Sequence, residues 1–340
     1  MLIVNSGYDD SGHEEPGHPE RPARSLEARA AVGDLELGSD LVEVPTHLAS
    51  RGELETVHAI DYLDELEAFC SAGGGNIDAD TYATAASWAI AREAAGAGLA
   101  VIRELQRRQN GVGFVIARPP GHHALTNRAM GFCLFNNVAI AAMALVQRGE
   151  RVLIVDWDVH HGNGTQEIFW DDSRVLYIST HQSPLYPGTG WAQEVGGSDA
   201  LGLTVNVPLP AGATGDVVLR ALGEIATPVI EAFSPTWVLV SAGYDAHAAD
   251  PLASLQLTSG DFAALGRAVA DFAPSPGRLA IFLEGGYDLT ALRASVSATL
   301  DAALGGSPPT ERASSGGPGM DELARVTSER RAAIERFGSA

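Results

Sequence analysis

The stretch VDWDVHHGNG, residues 155–164, places two aspartates and two histidines directly behind the apolar run RVLIV, with no turn signal before them. In an extended chain, side chains two apart share a face. Asp156, Asp158 and His160 therefore point one way, and Trp157 and Val159 the other, for as long as the extended conformation persists. A carboxylate two residues before an imidazole is a workable pair of ligands for a divalent cation. A third ligand must come from another strand, and Asp245, at the end of WVLVSAGYD, is the best placed. Three protein ligands with open positions mark a catalytic rather than a structural site. Polar caps on a strand end would account for one D-x-H. They do not account for a second isolated aspartate, the pair His122–His123 and Tyr287, all at strand ends.

Those ends belong to a regular series. Apolar runs rich in β-branched residues occur at 2–5, 112–116, 151–157, 174–180, 203–207, 237–242 and 279–284. Between many of them lie segments with helical spacing of apolar residues, at 87–108, 135–149, 216–233 and 261–273. Gly149 sits where a helix C-cap belongs, and Pro228 is expected to kink or interrupt the third helix. Alternating strands and helices predict an α/β domain whose parallel sheet is covered on both faces. In such sheets ligands bind outside the carboxyl ends of the strands, which is where ARPPGHHA, DWDVHHGNG, STHQ, GYDAH and GGYD fall. The catalytic domain is expected over 1–304, a Gly/Pro/Ser-rich linker over 305–319, and a helical tail over 320–340 whose Leu323, Val326 and Ile334 can pack back onto the body.

Composition narrows the function classes. The 340 residues carry a net charge of −21, and every one of the 22 Lys+Arg positions is arginine. Such a surface repels nucleic acid and is compatible with cationic substrates, although solubility alone accounts for it. No window has the uninterrupted apolar length of a membrane helix, and MLIVNSGYDD lacks the basic start of a signal peptide. Cys70 and Cys133 cannot make a disulfide framework, so a cytoplasmic setting is expected.

Six motifs occur in order: RPPGHHA, GFCLFNNVAIAA, VDWDVHHGNGT, STHQSPLYPGTG, SAGYDAHAADPL and LEGGYD. Together they resemble the histone deacetylase superfamily, from HPERPAR at 18–24 to LEGGYD. The resemblance implies an arginase–deacetylase fold, a single α/β domain with an eight-stranded, mostly parallel sheet. It implies that Asp158, His160 and Asp245 ligate zinc, with iron(II) open because an Asp₂His set is not diagnostic. It also implies that His122 and His123 serve the activated water and that Tyr287 hydrogen-bonds the substrate carbonyl. Asp156 then orients the first histidine and, with Ser179, holds a structural potassium ion. Asn163 partners the second histidine, and Arg24 lines a channel for acetate. Asn163 and LEGGY both lean towards the class II branch.

Amide hydrolysis needs a nucleophile at neutral pH, stabilisation of an oxyanion and a proton for the leaving amine. Zinc meets the first need by lowering the pKa of water to about 7. The resemblance assigns His123 as base and then acid, and His122 as an electrostatic neighbour. Phe132 and Tyr186 match the tunnel walls, with Gly131 beside the first and Leu252 at the gate. Some relatives specialised for polyamines carry a glutamate at the gate, and others place their acids on other loops or on a dimer partner; an apolar Leu252 points to acyl-lysine in a peptide or protein. Asp78 and Asp80, in the acidic segment 73–82, are expected at the tunnel rim and are able to anchor a peptide or attract a polyamine. A small-molecule deacetylase acting on acetylpolyamines, and a silent acyl-lysine binder, are the alternatives. A homo-oligomer is open.

Overall fold

The seven β-branched runs all form strands, and an eighth, which the periodicity did not single out, joins them at the sheet edge. The computed structural model describes residues 1–306 and 311–338; residues 307–310 of the expected linker and 339–340 of the expected tail lie outside the described residues. The first strands are β1 (Leu2–Asn5), β2 (Leu41–Val44), β3 (Gly74–Asn76), β4 (Tyr82–Thr84) and β5 (Val112–Val115). They are followed by β6 (Val152–Asp156), β7 (Val175–Gln182), β8 (Thr204–Leu209), β9 (Trp237–Ala242) and β10 (Leu279–Leu283). Eight of them make one parallel sheet in the order β2-β1-β5-β10-β9-β6-β7-β8, and β3 and β4 pair separately as an antiparallel hairpin.

Every residue of β5, β6, β9 and β10 is buried. The reason is period two within a sheet covered on both sides. Leu153, Val155, Val238, Val240 and Ile281 face one core, while Val152, Ile154, Leu239, Ala280 and Phe282 face the other. The helices that cover these faces are α1 (Ala23–Asp34), α2 (Arg51–Leu54), α3 (Ile60–Ser71), α4 (Ser87–Arg108) and α5 (Asn137–Val146). Later come α6 (Asn163–Ile168), α7 (Gly215–Ala221), α8 (Thr227–Phe233), α9 (Ser259–Phe272), α10 (Leu289–Ala303) and α11 (Met320–Gly338). The interruption expected at Pro228 takes a definite form: a π-turn over Leu222–Ala226 joins α7 to α8, leaving the proline in the first turn of α8.

The chain after α10 returns to the body. Ser314 donates to Asp261 on α9, and on α11 Leu323 and Val326 are buried in the core beside β8. Arg330 donates to the carbonyls of Gly202 and Thr204. Among the described residues no helix is long and apolar enough to cross a membrane.

His58 ties the loop after the tandem histidines to the start of α5. Its Nδ1–H donates to the Leu125 carbonyl at 3.0 Å, and its Nε2 accepts from the Asn136 N–H at 3.0 Å. Both bonds require the neutral ring, and burial pushes its pKa down to about 4. The unfolded chain takes up this proton near pH 6.5 and the folded state does not, so the stability is present above that pH and is lost as pH falls to about 4. The expected result is a thermal midpoint that drops between pH 7 and pH 4.5. A His58→Gln protein should show a shallower drop, the His58 share being about 3 kcal/mol. Parallel melts of both proteins across that range check it.

Candidate metal centre and active site

Extended backbone ends at Asp156, four residues earlier than a shared strand face for the D-x-D-x-H run requires. The ligands are aligned by side chain-to-backbone bonds instead. Asp156 Oδ1 accepts from the Asp158 N–H at 3.1 Å, and Asp158 Oδ1 accepts from the His160 N–H at 2.9 Å. Across the sheet, Asp245 Oδ1 accepts from the Val159 N–H at 3.0 Å. Asp158 Oδ2 takes the N–H of Gly285, just past β10, at 2.8 Å.

Asp158, His160 and Asp245 each present a ligand atom, and these atoms lie within 4.8 Å of one another. His160 Nδ1 is 3.1 Å from Asp158 Oδ1 and 3.3 Å from Asp245 Oδ2. The cluster suits a divalent cation. Asp245 Oδ2 is buried with no hydrogen-bond partner, a costly state unless an ion satisfies it. Burial and the Asp158 carboxylate push the Asp245 carboxyl up to about 7, and both aspartates hold His160 up to about 10, so the cluster keeps protons on the groups that a cation would take as ligands. Glycines make room here. A Cβ at Gly243 would sit 2.1 Å from Asp158 Oδ2, and one at Gly285 would sit 1.9 Å from Asp245 Oδ2.

The tandem histidines project from the turn after β5 and are given unlike partners. His122 Nδ1–H donates to Asp156 Oδ2 at 3.1 Å, whereas His123 Nδ1–H donates to the neutral Asn163 Oδ1 at 2.8 Å. The Asn163 amide is oriented by its own Nδ2–H, which points at the Met130 sulfur at 3.4 Å. Burial alone would depress both imidazoles. For His122 the Asp158 and Asp156 carboxylates overcome it and hold the ring up to about 10; for His123, burial and the positive charge of His122 act together and hold it well below its ordinary value.

A cavity of about 200 Å³ opens onto these groups. His122, His123, Asp158, His160 and Tyr287 line its depth, with Gly131, Phe132, Tyr186, Leu252 and Asp80 also in its walls. Phe132 meets Tyr287 edge-on at 5.8 Å between centroids, and Tyr186 meets His123 edge-on at 5.2 Å. Leu252 is 37% exposed, as befits a residue at the mouth. Arg24 lies behind Tyr287, with its guanidinium 4.8 Å from the ring centroid. It donates through Nε to the Gly286 carbonyl at 2.6 Å, and also to the Glu284 carbonyl and to Glu20. Ser179 pairs with Asp156 across the β6–β7 register, and its hydroxyl bonds His181 Nδ1 at 2.9 Å. Asp156 is closed in further by the Tyr177 hydroxyl at 3.0 Å.

Several of the remaining histidines are tied into the body. His13 meets Ser87 and His161 meets Thr189 and Gln166, while His247, two residues past Asp245, stacks on Phe262 away from the cluster. Two carboxylates escaped the sequence reading. Asp250 accepts from the Tyr287 N–H at 2.7 Å and from the Leu252 N–H at 2.9 Å. Glu284, which burial pushes up to about 7, accepts from the turn that carries the tandem histidines. Both sit inside quoted motifs, and for Glu284 a carboxylate directly after a strand was the available signal.

The family model described as "Histone deacetylase domain" matches residues 18–303. The chain is 41% identical over 316 residues to "Histone deacetylase 10, chloroplastic" of Oryza sativa subsp. japonica, covering 86% of this chain and 71% of the relative. It is 40% identical over 278 residues to "Histone deacetylase-like amidohydrolase" of Pseudomonas aeruginosa, covering 80% of this chain and 73% of that one. Among solved structures, that of the HDA15 HD domain superposes with a TM-score of 0.89 at 33% identity, covering 99% of this chain and 96% of the other.

Proposed function

Since the chain belongs to the histone deacetylase family, we propose that it hydrolyses the side-chain amide of acyl-lysine, releasing a short acyl group from a peptide or protein. The observation that carries this reading is the convergence, on one narrow cavity, of the ligand cluster, two histidines with unlike partners and Tyr287. Asp158, His160 and Asp245 would hold zinc, with iron(II) as the alternative. When bound, the cation supplies a water acidic enough to ionise near neutral pH and polarises the scissile carbonyl.

The chain's own residues supply the rest. His123, neutral and paired with an amide, is the group able to take the proton of the attacking water and pass it to the leaving amine. His122, bonded to the Asp156 carboxylate, contributes positive charge and does not compete for that proton. Tyr287 donates its hydroxyl hydrogen to the carbonyl oxygen as negative charge develops there. Phe132 and Tyr186 exclude water from the methylene chain. Asp156 and Ser179 are proposed to hold potassium, and Arg24 to line the way out for acetate.

Leu252 at the mouth supports acyl-lysine, because it offers no ion pair to a second ammonium. Asp80, in the same wall, supports the second reading, an acylpolyamine. Turnover of acetyl-lysine peptides, acetylputrescine and acetylspermidine by zinc-loaded protein in potassium buffer separates the two. Peptides are expected to lead in kcat/KM by about tenfold or more, about 1.4 kcal/mol of discrimination in the transition state; a polyamine preference would overturn the Leu252 argument.

A further inference from the structure

The turn that carries His122 and His123 has no regular secondary structure of its own, yet its imidazoles must be placed to within a fraction of an ångström. The anchor that faces it from the sheet is Glu284. This residue follows β10, which lies between β5 and β9, and it is 1% exposed. Its Oε2 accepts from the Gly121 N–H at 2.7 Å and from the His122 N–H at 3.2 Å. Its Oε1 accepts from the Ser241 hydroxyl, on β9, at 3.1 Å. The side chain therefore spans the ends of both neighbours of β10: the one that leads into the histidine turn and the one that leads to Asp245. Its backbone is held as well, with N–H bonded to the Ala242 carbonyl at 3.0 Å and its carbonyl to Arg24.

We infer that Glu284 is a positioning residue for the tandem histidines, holding the Gly121–His122 backbone so that the His123 ring reaches the reacting water. The inference rests on the deacetylase reading above. It acts through acceptor geometry and not through negative charge. All three groups facing the carboxylate are donors, but only the two N–H groups are fixed; the Ser241 hydroxyl is free to rotate and accept. A glutamine can therefore turn its oxygen to the two N–H groups and its NH₂ to Ser241. A methionine of similar shape leaves both N–H groups buried without an acceptor.

The test compares Glu284→Met and Glu284→Gln with the full-length wild type, reading kcat and KM on an acetyl-lysine peptide together with bound zinc. Glu284→Met is expected to lower kcat about ten- to a hundredfold, the loss of bonds to one buried acceptor, with KM and zinc content unchanged. Glu284→Gln is expected to recover most of kcat. Three results overturn the inference: a Met variant with wild-type kcat, a Gln variant as impaired as the Met variant, or a Met variant that fails to fold or to bind zinc. Should the wild type turn over no acyl amine at all, the deacetylase reading is what fails. Crystal structures of the wild type and Glu284→Met then decide the positioning claim. Displacement of the His122–His123 turn by about 1 Å with Asp158, His160 and Asp245 in place supports it, and an unmoved turn overturns it.

Discussion

Tyr287→Phe is expected to give a protein that folds, binds metal and substrate, and turns over about 10²–10³-fold more slowly, the usual cost of losing one donor to a developing oxyanion. The ring would stay where it is, because its position depends on contacts the hydroxyl does not make. Its backbone N–H is held by Asp250 at 2.7 Å, its face by the Arg24 guanidinium, and its edge by Phe132. Burial raises the tyrosine well above its ordinary pKa, so the hydroxyl keeps its hydrogen across the working pH range and acts as a donor throughout. The loss should therefore fall on kcat and leave KM and the shape of the pH profile alone. Steady-state kinetics on an acetyl-lysine peptide, with circular dichroism as a check on folding, measure this. A variant within threefold of wild type would remove Tyr287 from the oxyanion.

The same site shows which parts of a fold can be read from sequence. The runs that became β6, β9 and β10 are buried along their whole length and almost entirely apolar because both faces are covered, and such a run is distinctive. Leu41–Val44 is short, half-buried at the sheet edge and carries Glu43, so nothing in its pattern separates it from a loop. The D-x-H pair was legible because ionisable groups directly behind such a run need a reason. Its alignment is not the shared strand face that the spacing suggests: the backbone turns after Asp156, and the candidate ligands meet because each carboxylate holds a nearby N–H. Roles for the adjacent histidines came only through family resemblance, since spacing cannot distinguish two neighbours. What separates them is long-range, a carboxylate 34 positions away for His122 and an amide 40 away for His123. Glu284 went unseen for a related reason: a carboxylate after a strand reads as a solvated cap, and only the sheet order puts it against residue 121.

The ligand cluster makes a prediction of opposite sign for stability and activity. Asp245→Asn keeps an oxygen for the Val159 N–H but replaces the unpartnered Oδ2 with an NH₂ group that cannot bind a cation. Without metal, the wild-type carboxylate is buried against Asp158 and pushed up to about 7, so its removal relieves repulsion. The metal-free variant should therefore melt no lower than metal-free wild type. Added zinc should raise the wild-type midpoint, because a ligand at a thousand times its Kd stabilises the folded state by about 4 kcal/mol. The variant should show none of that gain, and its turnover should fall by ~10³ or more, since both the nucleophile and the polarised carbonyl depend on the cation. Chelator treatment of the wild type should match the variant in activity, and zinc should restore only the wild type. Thermal melts with and without zinc, metal analysis and peptide turnover give three independent readings. A variant that retains the zinc-dependent rise in midpoint would show that Asp245 is not a ligand, and a variant that melts lower without metal would show that its carboxylate holds the fold together through its pairing with His160 at 3.3 Å instead of straining it.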